Sequence, residues 1–302
     1  GAPARWGNRL GPYDLLERLS PPEGAAYEVW RAQRVGGVHQ TLHVYRVRGT
    51  SQALRDRERS RAHREANLLE RLRGGPDLLD YRVLDRVVDP EEALVLAFED
   101  TAGLTPLAGW LQRHAPGLEE RLTVAERLTR ALQWIHGRGV VHRRLSPEAV
   151  LVSNQRNPDK LRLCALELAR DLSASLPTVS RTDLADASVR CMAPELLRTG
   201  EATRRADRFA LGATLFELFN GRPLFDKPED ALRPYVIPPL HIGDAPVPEA
   251  VSLVVTTLLD PDPMARPELD DVLEILRGAR SPDPAPPAPR GPAEGDTICR
   301  VY

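Results

Sequence analysis

The chain has 302 residues, 42% of them hydrophobic and 28% charged, with a formal net charge of -2. This is enough apolar material for one large domain or two lobes sharing an interface, and the near-neutral balance argues against a nucleic-acid partner. Positive charge is almost all arginine, with Lys160 and Lys227 the two lysines; Cys164, Cys191 and Cys299 are spaced too widely for a metal site or a disulfide framework.

No apolar run reaches the length of a membrane span, and the N-terminus lacks the layout of a signal peptide. Together with the cysteine usage this predicts a reducing, cytoplasmic setting.

The first third reads as short strands. Tyr13–Leu16 precedes a turn-rich stretch, Ser20–Gly24, and Tyr27–Trp30 is joined to Thr41–Tyr45 through a turn at Gly36-Gly37. From Ser51 to Leu72 the period changes to helical, with Leu68, Leu69 and Leu72 as its clearest apolar positions. Tyr81–Val88 and Ala93–Phe98 complete a small sheet with one inserted helix. Beyond Asp100–Gly103 helices dominate: Leu107–Arg113, Glu119–His136, Ala206–Phe219, Pro248–Leu259 and Glu268–Leu276, with brief strands around Val150 and Leu163. Ser281–Pro292 is rich in proline and alanine and reads as a semi-extended linker or tail.

Five ordered fragments carry a family likeness. Val141-His142-Arg143-Arg144-Leu145-Ser146-Pro147-Glu148-Ala149 resembles the catalytic loop of bacterial-type Ser/Thr protein kinases, which reads His-Arg-Asp-Leu-Lys-Pro-x-Asn. Leu161–Arg170 is similar to the strand and turn that carry Asp-Phe-Gly, and Met192-Ala193-Pro194-Glu195 to the Ala-Pro-Glu motif. Asp207 with Phe209–Gly212 resembles the start of the central helix, and Pro261–Pro267 the late loop whose arginine pairs with the Ala-Pro-Glu glutamate. The resemblance covers about residues 10–276. It implies an α+β, bilobal kinase-like fold over 1–278: a small β-rich N-lobe (about 10–98), a hinge (99–103) and a larger helical C-lobe (104–278), followed by a Pro-rich tail (279–302).

The same resemblance implies structural roles for Glu65, His142, Arg143, Glu195, Asp207 and Arg266, with Glu195 and Arg266 as an ion pair and Asp207 accepting from the catalytic-loop backbone. Phosphoryl transfer needs phosphate positioning, metal ions and a group that orients the acceptor hydroxyl, and here the corresponding positions are degenerate. His43 stands at the lysine position of the Val-Ala-Leu-Lys strand, a register two residues later placing Tyr45 there. Arg144 replaces the catalytic aspartate, Ser146 the loop lysine and Ala149 the metal-binding asparagine. Ala165 replaces the Asp-Phe-Gly aspartate and Glu167 its glycine, with Glu167 expected to face Arg144 or Arg170. In the glycine-rich loop only Gly24 remains, with Pro22 and Tyr27 at the outer glycine positions.

The nucleotide cleft implied by Gly24, Tyr27, Val29, Thr41, Phe98 and Leu151 is therefore expected to be filled with protein. No metal and no cofactor is expected. The implied function is that of a catalytically inactive pseudokinase, a scaffold or regulatory module in a larger signalling or defence protein. Its partner would be a protein, either an active kinase or a neighbouring domain of the same polypeptide. The alternatives are a metal-independent ATP-binding switch without phosphotransfer and an atypical transferase. The arginine-rich run Arg46–Arg73 alternates its charges and so spreads them over several helix faces, the composition of a solvated surface.

Overall fold

Alternating burial builds the first lobe. The computed structural model describes residues 9–21, 27–88, 91–166, 169–172 and 190–280. Six strands, β1 (Arg9–Leu10), β2 (Tyr13–Leu19), β3 (Glu28–Arg34), β4 (His39–Arg46), β5 (Tyr81–Val87) and β6 (Ala93–Glu99), form one antiparallel sheet in the order β1-β2-β3-β4-β6-β5. The period of two sends successive side chains to opposite faces. On β6, Ala93, Val95 and Ala97 join Tyr13, Trp30, Leu42 and Val44 in an outer core, while Leu94, Leu96 and Phe98 join the main core. β6 is thus covered on both faces, which explains its unbroken apolar sequence.

Helix α1 (Gln52–Leu72) begins where the Ser51 side chain accepts from the Leu54 N–H at 3.3 Å, satisfying one of the free donors of the first turn. Ala62, Glu65, Ala66, Leu68, Leu69 and Leu72 are its buried residues, recurring at helical spacing. Glu65 is the one acid among them, and its partners lie on β4.

The second lobe is helical: α2 (Leu107–His114), α3 (Leu118–Gly137), α4 (Pro194–Thr199), α5 (Arg204–Asn220), α6 (Glu249–Leu258) and α7 (Leu269–Gly278). Helix α5 is buried from Ala206 through Phe219, the pattern of a helix enclosed on every side. Its Gly212 lets α6 approach closely, because a Cβ there would lie 2.8 Å from the Leu258 Cβ. Short strands form the lobe's upper face, those around Val150 and Leu163 as expected and three more that the sequence did not mark. β7 (Leu104–Pro106), β9 (Val150–Ser153) and β10 (Leu161–Leu163) make a three-stranded sheet, and β8 (Val140–Val141) pairs with β11 (Arg170–Asp171). Segments this short carry too few residues for an alternation to register.

The architecture is bilobal, a sheet lobe with one helix above a helix-rich lobe. The lobes are tied by Trp134 Nε1 to the Leu72 carbonyl (3.2 Å) and by the Leu79 N–H to the Leu163 carbonyl (3.1 Å). Arg162 adds a bidentate grip on Glu99 at the end of β6. Among the described residues no helix is long and apolar enough to cross a membrane.

Candidate functional site: the cleft between the lobes

A cleft of about 1100 Å³ opens between the lobes. Val29 on β3 and Thr41 and His43 on β4 roof it, Leu151 on β9 with Ala149, Cys164 and Ala165 floors it, and residues 101–104 close its back. The expected filling of this space by aromatic side chains is not what the fold produces. Phe98 is buried beside Tyr81 and His43, with ring centroids 5.9 and 4.4 Å away. Trp30 points to the opposite face of the sheet, where Nε1 donates to Glu28 at 2.9 Å. Tyr27 reaches the cleft wall but lies flat on His43, with centroids 4.3 Å apart and planes at 19°. Among the described residues, these rings pack against one another and leave the remaining volume unfilled.

The two registers considered for the lysine position converge on one acid. His43 and Tyr45 are two residues apart on β4 and therefore share a face. His43 Nδ1 lies 3.3 Å from Glu65 Oε1, and the Tyr45 hydroxyl donates to Glu65 Oε2. All three are buried. Both carboxylate oxygens of Glu65 are thereby engaged by β4, joining α1 to the sheet. Period-two spacing carried the signal for Tyr45, which replaces neither residue but adds to His43.

Below the cleft, the loop between β8 and β9 is organised on Asp207, at the start of α5. Its carboxylate accepts from the backbone N–H groups of His142 (2.7 Å) and Arg143 (2.8 Å), and from His136 Nε2 at 2.8 Å. His136, on the buried face of α3, looked like an ordinary core position in the sequence. Burial alone would raise the Asp207 pKa, but the histidine and backbone donors outweigh it and hold the carboxyl below its ordinary range. His142 Nδ1 accepts from the Arg144 N–H at 3.2 Å, so the proton sits on Nε2, which donates to the Cys164 carbonyl at 2.9 Å. Full burial pushes the His142 pKa down, in keeping with that neutral tautomer.

Arg144, Ser146, Ala149 and Ala165 all line the lower cleft, so the structure brings together the positions singled out as degenerate. Arg143 and Ala165 both have positive φ, 68° and 61°, conformations that L-residues adopt only when the surroundings hold them there. At the front, Arg190 bonds to Glu148 and lies 3.2 Å from Glu217 Oε2. Gly24 and Glu167 lie outside the described residues, as do most of the activation-like segment and the Pro-rich run.

The Glu195–Arg266 pair sits away from the cleft. Arg266 donates to Glu195 through Nη1 at 2.6 Å and Nη2 at 2.9 Å, and to the carbonyls of Asp260 and Arg205 at 2.9 Å each. Its guanidinium lies over the Phe209 ring, 4.9 Å from the centroid. On the arginine-rich run, Arg59 pairs with Asp56 and Glu92, Arg61 with Glu58, and Arg73 with Glu70. Charges neutralised within the chain in this way make a weak docking surface for an anion.

Residues 42–275 match the family model described as a protein kinase domain. The chain is 32% identical to the DNA damage-responsive serine/threonine-protein kinase RqkA of Deinococcus radiodurans, over 88% of this chain and 39% of that protein. It is 30% identical to the serine/threonine-protein kinase pkn3 of Myxococcus xanthus, over 66% of this chain and 36% of that protein. A shorter stretch, 36% of this chain and 16% of the relative, is 33% identical to the serine/threonine-protein kinase PrkC of Bacillus subtilis. The chain thus spans less than half the length of these relatives.

Proposed function

The chain belongs to the protein kinase domain family, and from that premise we propose that it is a pseudokinase, a kinase-like module that works by binding and does not transfer a phosphoryl group. The observation that carries this reading is the composition of the lower cleft. At the positions where catalysis requires an aspartate base and two metal ligands stand the Arg144 guanidinium and the methyl groups of Ala149 and Ala165. Magnesium takes oxygen ligands in a near-octahedral shell, and a guanidinium with two methyl groups offers none. These residues do not fit the metal. The roof agrees: His43 replaces a flexible ammonium with a ring already engaged by Glu65 and Tyr27.

The features that support a retained architecture are those that hold shape. Asp207 organises the loop beneath the cleft, Glu195 and Arg266 brace α4 against the late loop, and Glu65 joins α1 to β4. A well-formed fold around a chemically altered cleft suits a scaffold or regulatory domain whose partner is a protein. On this reading that partner is either a neighbouring domain of the same polypeptide, which the greater length of the matched relatives supports, or an active kinase.

A second reading, a metal-independent ATP-binding switch, is favoured by one observation, the open cleft with its apolar walls at Val29 and Leu151. Thermal unfolding with ATP and ADP, with and without magnesium, separates the two. The binding-module reading predicts no nucleotide-dependent rise in Tm, and a rise that saturates would favour the switch.

A further inference from the structure

The open cleft has a polar edge, and that edge is already occupied from within. Thr41, on the roof, and Thr101, at the back, both line the cleft. The Thr101 backbone N–H donates to Thr41 Oγ1 at 3.1 Å, and the two hydroxyl oxygens lie 2.8 Å apart. A hydroxyl has one proton and two lone pairs. Thr41 Oγ1 can therefore accept from the N–H while sharing a second hydrogen bond with Thr101 Oγ1. Thr41 is 3% exposed, so water does not offer a ready substitute for either bond.

Neighbouring donors are engaged as well. The Glu99 N–H goes to the Asp80 carbonyl at 2.9 Å, the Ala102 N–H to Asp100 Oδ1 at 3.1 Å, and the Leu104 N–H to the Thr101 carbonyl at 3.0 Å. Arg31 in turn holds that Asp100 carboxylate, with Nη2 at 2.9 Å from Oδ2.

We propose that Thr41 is a specificity-determining residue that caps the Thr101 N–H and thereby excludes purine bases from the space between Val29 and Leu151. A purine slid between those walls would present a ring nitrogen to the back of the cleft. To take the Thr101 N–H it must displace the Thr41 hydroxyl, which then loses an acceptor role in a buried position. The Thr41 hydroxyl keeps its bond to Thr101 Oγ1, so the purine only exchanges one hydrogen bond of the N–H for another and gains nothing from it. A site built to satisfy itself rejects a ligand that needs the same donor, just as a site built to bond a ligand rejects one that lacks the group.

This inference rests on the reading of the chain as a binding module, and its test reads the affinity for adenosine. The experiment is calorimetric titration of adenosine, without metal, into the wild-type protein and into Thr41→Ala, Thr41→Ser and Thr101→Ala. Thr41→Ala frees the N–H and should tighten adenosine binding at least tenfold, about 1.4 kcal/mol. Thr41→Ser keeps the hydroxyl and Thr101→Ala keeps the cap, so both should match the wild type. Equal affinity in Thr41→Ala and wild type, or a gain in Thr41→Ser as large as in Thr41→Ala, would overturn the proposal. Should Thr41→Ala not fold, the wild-type Thr101 amide resonance decides: it should stay in place under millimolar adenosine, and a saturable shift would overturn the capping role. A rise in adenosine affinity confined to Thr41→Ala supports the cap whether or not a partner protein is found, whereas phosphoryl transfer from ATP by the wild type would contradict both readings.

Discussion

Arg266 shows how much a single side chain can be asked to hold. It is buried, yet it carries a full charge matched by a bidentate carboxylate, two carbonyls and an aromatic face. Removing one partner leaves the other charge buried and uncompensated, which costs about 3–5 kcal/mol where a pair is fully enclosed. Glu195 is partly exposed, so Glu195→Ala should fall at the lower end, about 3 kcal/mol by urea denaturation, and a loss under about 0.5 kcal/mol would show the pair to be inert. His142 and Asp207 make a second prediction, on pH. An unfolded histidine takes up a proton near pH 6.5, whereas buried His142, with its pKa lowered, stays neutral. Its contribution is thus intact above pH 6.5 and is lost as pH falls below it. Asp207, also lowered, adds a further loss as pH drops below 3.8 toward its folded value. The urea midpoint should decline from neutral pH to about pH 5, and His142→Gln should flatten that decline; an unchanged slope would assign it to other groups.

Between elements, two contacts decide how the lobes are assembled. Glu65 joins α1 to β4 through His43 and Tyr45 together. Tyr45→Phe removes a hydrogen bond to a carboxylate and should cost about 1.5–3 kcal/mol. In a double-mutant cycle with Glu65→Gln the two losses should fall short of additive, since both variants break one interaction. In the second lobe, Gly212→Ala drives a Cβ into the Leu258 and Leu259 contact between α5 and α6. That overpacking should destabilise by about 1–3 kcal/mol, measurable as a lowered Tm.

The long elements were legible in the sequence because periodicity and caps mark them. Gln52–Leu72 starts at its Ser51 cap, and α3, α5, α6 and α7 lie within two residues of the expected ranges. Hidden from the sequence were β7, β8 and β11, too short to show a period. The cleft was equally hidden: composition shows that Tyr27 and Phe98 are bulky, and only packing shows that Tyr27 stacks on His43, that Phe98 packs against it at a tilt, and that the described residues leave a cavity beside them. The Thr41–Thr101 bond joins residues 60 apart and carried no local signal at all.

At the scale of the whole molecule, the same fold holds two kinds of residue. Those that give shape, Asp207, Arg266 and Glu65, are engaged as a kinase-like frame requires, while those facing the lower cleft present a guanidinium and methyl groups. On the proposed reading Arg144 stands at the position of the base and Ala149 and Ala165 at those of the two metal ligands, so restoring one of them should not restore the reaction. The most direct measurement is transfer of labelled γ-phosphate from ATP, with magnesium or manganese, to the chain itself and to a generic acceptor protein. No transfer above a sample without protein is expected, in the wild type and in Arg144→Asp alike. Time-dependent transfer by the wild type that disappears when a residue lining the cleft is changed would contradict the pseudokinase reading.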